Sequence, residues 1–566
     1  MDPLAEAITL RHYEMEKIRR PYEPNMQNCV NYVNPRRYDF SGSAPKGQQR
    51  KTKMYDGVAQ DAFLSWVDGI LGWYVSQSQP WVSVYVPDRK VRFKNRVVTY
   101  CQDYAEQLQY EIAECNFYAR LPEFLRDGAG SGTGCGLTEE AKTLDKANIK
   151  IPHPASVYIL EDDEGHVCAV HLKSTYTARQ ARTKFNKDRD RLPKELLDDA
   201  KDPNRAETEY EFIHAIFKAD DSAISDVKVG TKPWASIYVV LTSKNSAIGV
   251  THNTLVDSAV VRRGGWEYNP ASVWRFRKNS DEVYGYSPAM DVMCAISTGQ
   301  QIGRQLLHMG NLAADPPKMI PEELRATYAL LPGGKNFYTD PQRLVSSIQS
   351  GGEYPIAKDR EDAVHDLVRT RYGYQFWHAM TLLAAKKERV PATQVTELRA
   401  DQAMMLVGQV DNLGNEGIAP FVDNIAAVAD RGGRLPDPPP ELDALRGKNA
   451  LRVKFIGPLA LFQDRLYKTG SLKQALQLLA GLAQTLGPGV FDSVRDVELT
   501  EYMWESSNAP RNLLRDKDEV FAVRKQKAQA AQLQQAAETG KTMAEGLSKL
   551  SKGAEPASPL AQLVGA

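Results

Sequence analysis

Apolar residues fall at Val97, Cys101, Tyr104, Leu108 and Ile112, in steps of four and three. That spacing puts one stripe on a helix and predicts a long one from about Val91 to Phe124. A helical pattern also covers Asp2 to Arg20, where Pro21 and Pro24 end it. Residues 22–53 show no period; basic residues there alternate with Tyr22, Tyr32 and Tyr38. Such a mixture can bind nucleic acid, and equally suits an extended arm draped over a neighbour. Helical spacing returns at Tyr55–Leu71, and Pro80–Pro87 (PWVSVYVP) alternates like a short strand. The long helix ends at GAGSGTGCG, residues 128–136, read as a helix stop followed by a flexible turn.

Beyond the glycines the period changes to two. Val157–Leu160 and His166–Leu172, joined through Glu161–Gly165, predict a hairpin. Further strands are predicted at Tyr210–Lys218, Trp234–Thr242 and Val273–Arg277, with charged helical material at 177–206. At Ser287-Pro288, an N-cap followed by proline at the first helical position, the chain turns helical again. Asp315-Pro316-Pro317 stops that helix after 28 residues from Pro288, about 42 Å at 1.5 Å per residue. Residues 316–356 are rich in Pro and Gly, and a second helical run covers about Asp359–Lys387. Two long helices flanking an irregular insert predict a helical hairpin with an elaborated tip. A helix from about Gln394 to Asp430 follows, ended by Gly432-Gly433, then a stiff connector with Pro436, Pro438, Pro439 and Pro440. Residues 461–486 are helical and Leu-rich. The Ala- and Gln-rich end predicts a helix fraying after about Lys552. The fold class is α+β, mainly helical.

Composition narrows the function classes. The 566 residues carry 71 basic and 71 acidic side chains, which excludes a polybasic coat for nucleic acid and an acidic solvating chain. The six cysteines form no CxxC and suit thiols buried in a reducing compartment. The charged N-terminus is unlike a secretory signal, and Ser76–Pro80 interrupts the least charged stretch, Gly69–Pro87, so no membrane helix of about 20 apolar residues is expected. The expectation is a soluble chain made inside the cell, with no membrane partner.

Several catalytic signatures are present only as fragments. In 128–136 the third glycine of GxGxxG falls on Thr133, Cys135 or Leu137 in every register, and no strand precedes. Gly540-Lys541-Thr542 resembles the end of a phosphate-binding loop, but Gln535 stands where its first glycine must be. Ser131 lacks a glycine at position 129, where alanine stands. His153, His166 and His171 have no HExxH spacing, and the last two point to opposite faces of a strand. Asp162 and Asp163 lie in a hairpin turn, where solvation accounts for them. No enzyme, cofactor or metal is nominated.

Four stretches in order resemble the portal proteins, the head-to-tail connectors of short-tailed bacteriophages. YGYSPAMDVMCAISTGQQIGRQLLHMGNLAADPP (284–317) looks like the family's YG-x-SP-x-x-D start of a long helix with a D-P-P stop. VPATQVTELRADQAMMLVG (390–408) is similar to its T-A-T-E-V helix start. GRLPDPPPEL (433–442) matches its proline connector. VKFIGPLALFQDRL (453–466) is similar to Y-x-S-P-L-A-x-A-Q, with Phe455-Ile456-Gly457 in place of the usual Tyr and Ser. RNLLRDKDEVFAVRKQKAQAAQ (511–532) is similar to the C-terminal helix, and the N-terminal third fits more loosely.

The resemblance implies a portal fold, a ring-shaped homo-oligomer, usually a dodecamer, around a DNA channel. It implies an N-terminal arm (1–54), a wing (55–286), a first stem helix (287–315), a clip (316–356) and a second stem helix (357–387). A channel loop (388–394), a wing or crown helix with connector (395–460), crown helices (461–535) and a partly disordered tail (536–566) complete it. The implied partners are other copies of the chain, double-stranded DNA without sequence preference, a separate ATP-hydrolysing terminase motor, tail adaptors, capsid protein, and scaffold or internal core proteins. The implied location is the capsid vertex of the virion, after synthesis in the host cytoplasm.

Sliding DNA requires many weak contacts blind to sequence, which phosphate pairing supplies. Lys386, Lys387 and Arg389, beside the implied channel loop, are candidates for a basic girdle; cations at a helix C-terminus opposite its dipole are the other reading. Arg360, Arg369 and Arg371 line the channel or pair with Glu361, Asp362 and Asp366 across subunits. Tyr338 and Arg343 are candidate adaptor contacts by position in the clip. The competing classes are a terminase-like packaging enzyme and a capsid or tail scaffolding protein without a channel.

Overall fold

A computed structural model describes residues 2–37, 40, 54–141, 146–185, 191–220, 232–241, 258–314, 354–375, 377, 411–443, 451–456, 475–481, 494–506 and 517–552, apart from a few scattered positions, with the short pair 318–319 and 346–347. The chain divides into two units, Met1–Gln463 and Asp464–Ala566.

The first unit mixes helices and antiparallel sheets. Its largest sheet is a meander of β4 (Val157–Glu161), β5 (Val167–Thr177), β6 (Glu209–Lys218), β7 (Trp234–Leu241) and β8 (Ser258–Trp266), in chain order. The predicted hairpin pairs Val157 with Leu172 and Ile159 with Val170. Alternation sorts the side chains of this sheet onto two faces. One face, with Ile213, Ala215, Phe217, Ile237 and Val239, packs on Leu4, Ala5 and Ile8 of α1 (Pro3–Arg19). The other face is shared. Phe212, Tyr238 and Val240 meet α6 (Ala178–Lys184) and α7 (Lys194–Asp199), while Val170, Leu172 and Ile216 meet Leu137 and Val273 of a smaller sheet.

Helix α1 starts where the sequence predicts. Asp2 Oδ1 accepts from Leu4 N at 3.1 Å, and Pro3 needs no donor at the first position. At its far end the buried Arg19 donates to the carbonyls of Ala155 and Val157, both at 2.7 Å.

The expected extended arm is a helix for part of its length: α2 (Glu23–Val33) buries Met26, Cys29, Val30 and Val33 within its own chain. Pro24 begins this helix rather than excluding one, because the first turn has no acceptor for its N–H. The long helix predicted to Phe124 is two, α4 (Asn95–Glu114) and α5 (Phe117–Ser131). Between them Asn116 Oδ1 accepts from Ile149 N at 2.7 Å and its Nδ2 donates to the Ile149 carbonyl at 2.9 Å, so the break is anchored to strand β3 (Ala147–Lys150).

The glycine run holds the core together. Gly132, at φ 87°, ends α5 in the left-handed region. The next residues form β2 (Thr133–Glu140), centre of a three-stranded sheet between β3 and β9 (Ala271–Arg275), so the expected flexible turn is a strand. A Cβ at Gly128 would strike the Trp274 ring, and one at Gly136 the Phe421 ring. Trp274 stacks on Trp66 of α3 (Val58–Trp73), ring centroids 6.1 Å apart, and neighbours Phe124 and Phe276. Strand β1 (Val82–Tyr85), predicted from PWVSVYVP, pairs with β12 (Arg452–Phe455).

In the second unit Arg524 on the helix Lys517–Lys552 pairs with Asp496 on the helix Asp496–Ser506 at 2.6 Å. Gly540-Lys541-Thr542 lies inside the longer helix, where Thr542 Oγ1 donates to the Glu538 carbonyl at 2.6 Å. Among the described residues no helix is long and apolar enough to cross a membrane.

Three buried histidines meet the large sheet. His12 stacks on His171, centroids 5.7 Å apart, and His214 stacks on Tyr238 at 3.9 Å with Nε2 2.8 Å from Ser236 Oγ. Burial, with Lys173 and Arg19 nearby, lowers His12 from 6.5 to about 3. Burial lowers His214 to about 3 despite Glu139, and drives His171 well below its ordinary value. The folded state keeps these rings neutral while the unfolded chain protonates near 6.5. Their contribution is complete above pH 6.5 and is lost as pH falls toward 3. Urea denaturation midpoints measured against pH are expected to fall across that window, with a shallower fall for His12→Phe.

Candidate functional site: the helix pair and its anchors

Ser287 caps the helical hairpin, its Oγ accepting from Met290 N at 3.4 Å, and Pro288 opens α8 (Pro288–Asp291). One non-helical residue, Val292, separates this turn from α9 (Met293–Ala314). Helix α10 (Tyr354–Arg371) returns antiparallel. Asp291 meets Arg371 at one end, and a Cβ on Gly299 would touch Val364 at 3.4 Å further along. Between the helices, β10 (Lys318–Met319) and β11 (Ser346–Ser347) pair antiparallel, so the insert leaves and returns at one place.

The pair is fastened to α3 by the segment preceding it. Gln300 Oε1 accepts from Tyr55 N at 2.7 Å and Asp56 N at 3.2 Å, while its Nε2 donates to the Asp56 carbonyl at 2.6 Å. Asp56 Oδ2 lies 3.2 Å from His365 Nε2 on α10. Gly303 lets the Tyr55 backbone lie directly on α9, and Gly299 leaves room for the Asp56 carboxylate. Tyr372, fully buried, meets Phe63 edge-on at 6.3 Å.

The outer faces differ in charge. Arg304 is the one charged residue between Val292 and Ala314, with Gln301, Gln305, His308 and Asn311 exposed around it. On α10, Asp359, Asp362 and Asp366 form an exposed stripe at steps of three and four. Arg360, Leu367 and Arg371, at steps of seven and four, occupy the other flank.

Of the residues singled out from sequence, Arg360 is exposed with no ion pair among the described residues. Arg371 is held in its own chain: its Nε donates to Asp291 Oδ2 at 2.9 Å, and Arg277 reaches the same oxygen at 2.9 Å. Within the chain Asp291 is its partner, and Glu361 pairs with Lys358 at 3.7 Å. Arg369 lies over the Tyr374 ring, 5.4 Å from its centroid. Lys386, Lys387, Arg389, Tyr338 and Arg343 lie outside the described residues.

Sequence reasoning missed a buried ionic node beside the pair. Arg275, 2% exposed, sits at the end of β9. It meets Glu161 of the β4–β5 hairpin, donates to the Gly165 carbonyl at 3.1 Å, and clasps Glu416 through Nη2 at 2.6 Å and Nε at 3.2 Å. Lys278 also reaches Glu161, at 2.8 Å. Glu416 belongs to a π-helical segment, Leu413–Ile418, leading into the helix Ala419–Arg431. Asn412 donates to the Arg275 carbonyl. An arginine within an apolar strand (ASVWR) and the lone carboxylate of LGNEGI were the signals available. Among the described residues no group of His, Cys, Asp and Glu is arranged to hold a metal.

A mixed helical and β body fastened to an antiparallel helix pair is the class of structure these observations define. The family model for the bacteriophage head to tail connecting protein matches residues 5–514, and the chain belongs to that family. It is similar to the portal protein of Salmonella phage epsilon15, 23% identical over 550 residues, which cover 95% of this chain and 94% of that protein. It is also similar to a probable portal protein of Bordetella phage BPP-1, 22% identical over 536 residues and 92% of each chain.

The two arginine sites separate in energy. Arg275→Ala removes a buried guanidinium from two half-buried carboxylates and is expected to cost about 3 kcal/mol in urea unfolding, whereas Arg371→Ala, at an exposed pair, is expected to cost at most about 1 kcal/mol.

Proposed function

We propose that this chain is a viral portal subunit whose copies form a ring at the capsid vertex, through which double-stranded DNA enters and leaves and to which tail proteins attach. The observation that carries the reading is the helix pair α9–α10, with its ends-paired insert, in a chain matched to the connector family over residues 5–514. In this reading α9 and α10 are the stem, the insert 316–356 is the clip that receives tail adaptors, and residues 388–394 form the channel loop. The β unit before Ser287 builds the wing, and the helices after 461 the crown. A dodecamer is the proposed state, with a separate terminase motor docking during packaging. Capsid protein, and scaffold or internal core proteins, are the proposed neighbours in the virion.

DNA passage is proposed to use a sparse set of cations. Lys386, Lys387 and Arg389 contribute the girdle, and Arg360 an additional contact along the stem. Arg371 is a weaker contributor because Asp291 already engages it. Each phosphate pairing strengthens binding and its salt dependence, so a conduit works best with few such contacts per copy. Neutrality of the whole chain, 71 charges against 71, fits a ring that guides a duplex without gripping it.

Negative-stain microscopy of the purified protein is expected to show rings with a central hole; a monodisperse monomer at every salt concentration would sink the proposal. Replacing Lys386, Lys387 and Arg389 together by Ala is expected to leave ring formation intact and reduce packaged DNA. Unchanged packaging would reduce these residues to helix-end cations.

A further inference from the structure

The two outer flanks of the helix pair are complementary to each other, not to themselves. Helix α9 exposes Arg304 and His308 among uncharged polar side chains, with no carboxylate between Val292 and Ala314. Helix α10 exposes Asp359, Asp362 and Asp366. Within the chain these groups do not meet: Arg304, Asp362 and Asp366 have no ion-pair partner among the described residues. Beside Arg304 the α9 face also carries Leu307, 60% exposed, the most exposed large apolar residue of the first unit's described part.

We propose that the Arg304–Leu307–His308 face of α9 in one copy docks on the Asp359–Asp362–Asp366 stripe of α10 in the next copy. Pairing like flanks is disfavoured: α9 on α9 brings arginine to arginine, and α10 on α10 brings carboxylate to carboxylate, whereas α9 on α10 pairs opposite charges. A contact between two different surfaces is heterologous, and its repetition closes a ring when the rotation allows. Small Ala363, exposed between Asp359 and Asp366, leaves room for the Leu307 side chain. The basic flank of α10, with Arg360, remains outside this contact and available to the channel. The proposal rests on the ring reading above and adds the surfaces that set the direction of assembly.

A charge exchange tests it. Arg304→Glu alone, and Asp362→Arg with Asp366→Arg, are each expected to lower the ring fraction in mass photometry by about tenfold or more. The combination of all three is expected to restore rings. Because every substituted side chain is exposed, thermal melts of the variants should match the parent and show that folding is intact. Ring fractions unchanged by the reversals, or no recovery in the combined variant, overturn the interface. Normal rings with poor DNA retention in Arg304→Glu would place the α9 face on the channel instead, also overturning it. Failure of the parent protein itself to form rings removes the ring reading, a result distinguishable from either.

Discussion

The buried guanidinium of Arg275 is the constraint on which the rest of the first unit depends. A charge in this setting is costly unless every donor is directed to an acceptor. Two separate stretches supply those acceptors: the β4–β5 hairpin, through Glu161 and the Gly165 carbonyl of its turn, and Glu416 far along the chain. The five-stranded sheet, the small sheet carrying Trp274 and the segment leading to Ala419–Arg431 therefore share one ionic joint. The π-helical turn is part of that joint. Its extra residue brings Glu416 onto Arg275 while Gly414 and Gly417 lie against Tyr74 and Trp274, where a Cβ would crowd them.

Much of this was legible where a single period governed a segment. The hairpin from Val157 to Leu172, the strands at 210–218 and 234–242, and the Ser287-Pro288 helix start follow from alternation and capping alone. Strand β2 was not legible because its glycines carry no alternation to read; Gly134 lets the α5 backbone approach and Gly136 the Phe421 ring. Helix α2 was hidden by Pro24, which reads as a stop although the same residue is compatible with a first turn. Strand β8 (SAVVRRGGW) was obscured by paired arginines and glycines.

The helix pair was readable as two long segments around an insert, but its fastening was not. Gln300 takes the backbone of Tyr55 and Asp56 from nearly 250 positions away, and no local pattern announces a contact of that range. The same holds for Arg371, against which the chain folds Asp291 from 80 positions away. Charge partners are chosen by tertiary approach, and a net charge of zero conceals which flank each charge occupies.

The two-residue ladder formed by Lys318–Met319 and Ser346–Ser347 has a consequence for how such a chain can diverge. Because the insert departs and returns through one hydrogen-bonded gate, its closure cost is met at the gate and grows only slowly with loop length. Sequence between the two strands can then be lengthened, shortened or exchanged while α9 and α10 keep their register. Evolution can therefore rewrite that module alone while the helices that flank it, and their anchors, stay unchanged.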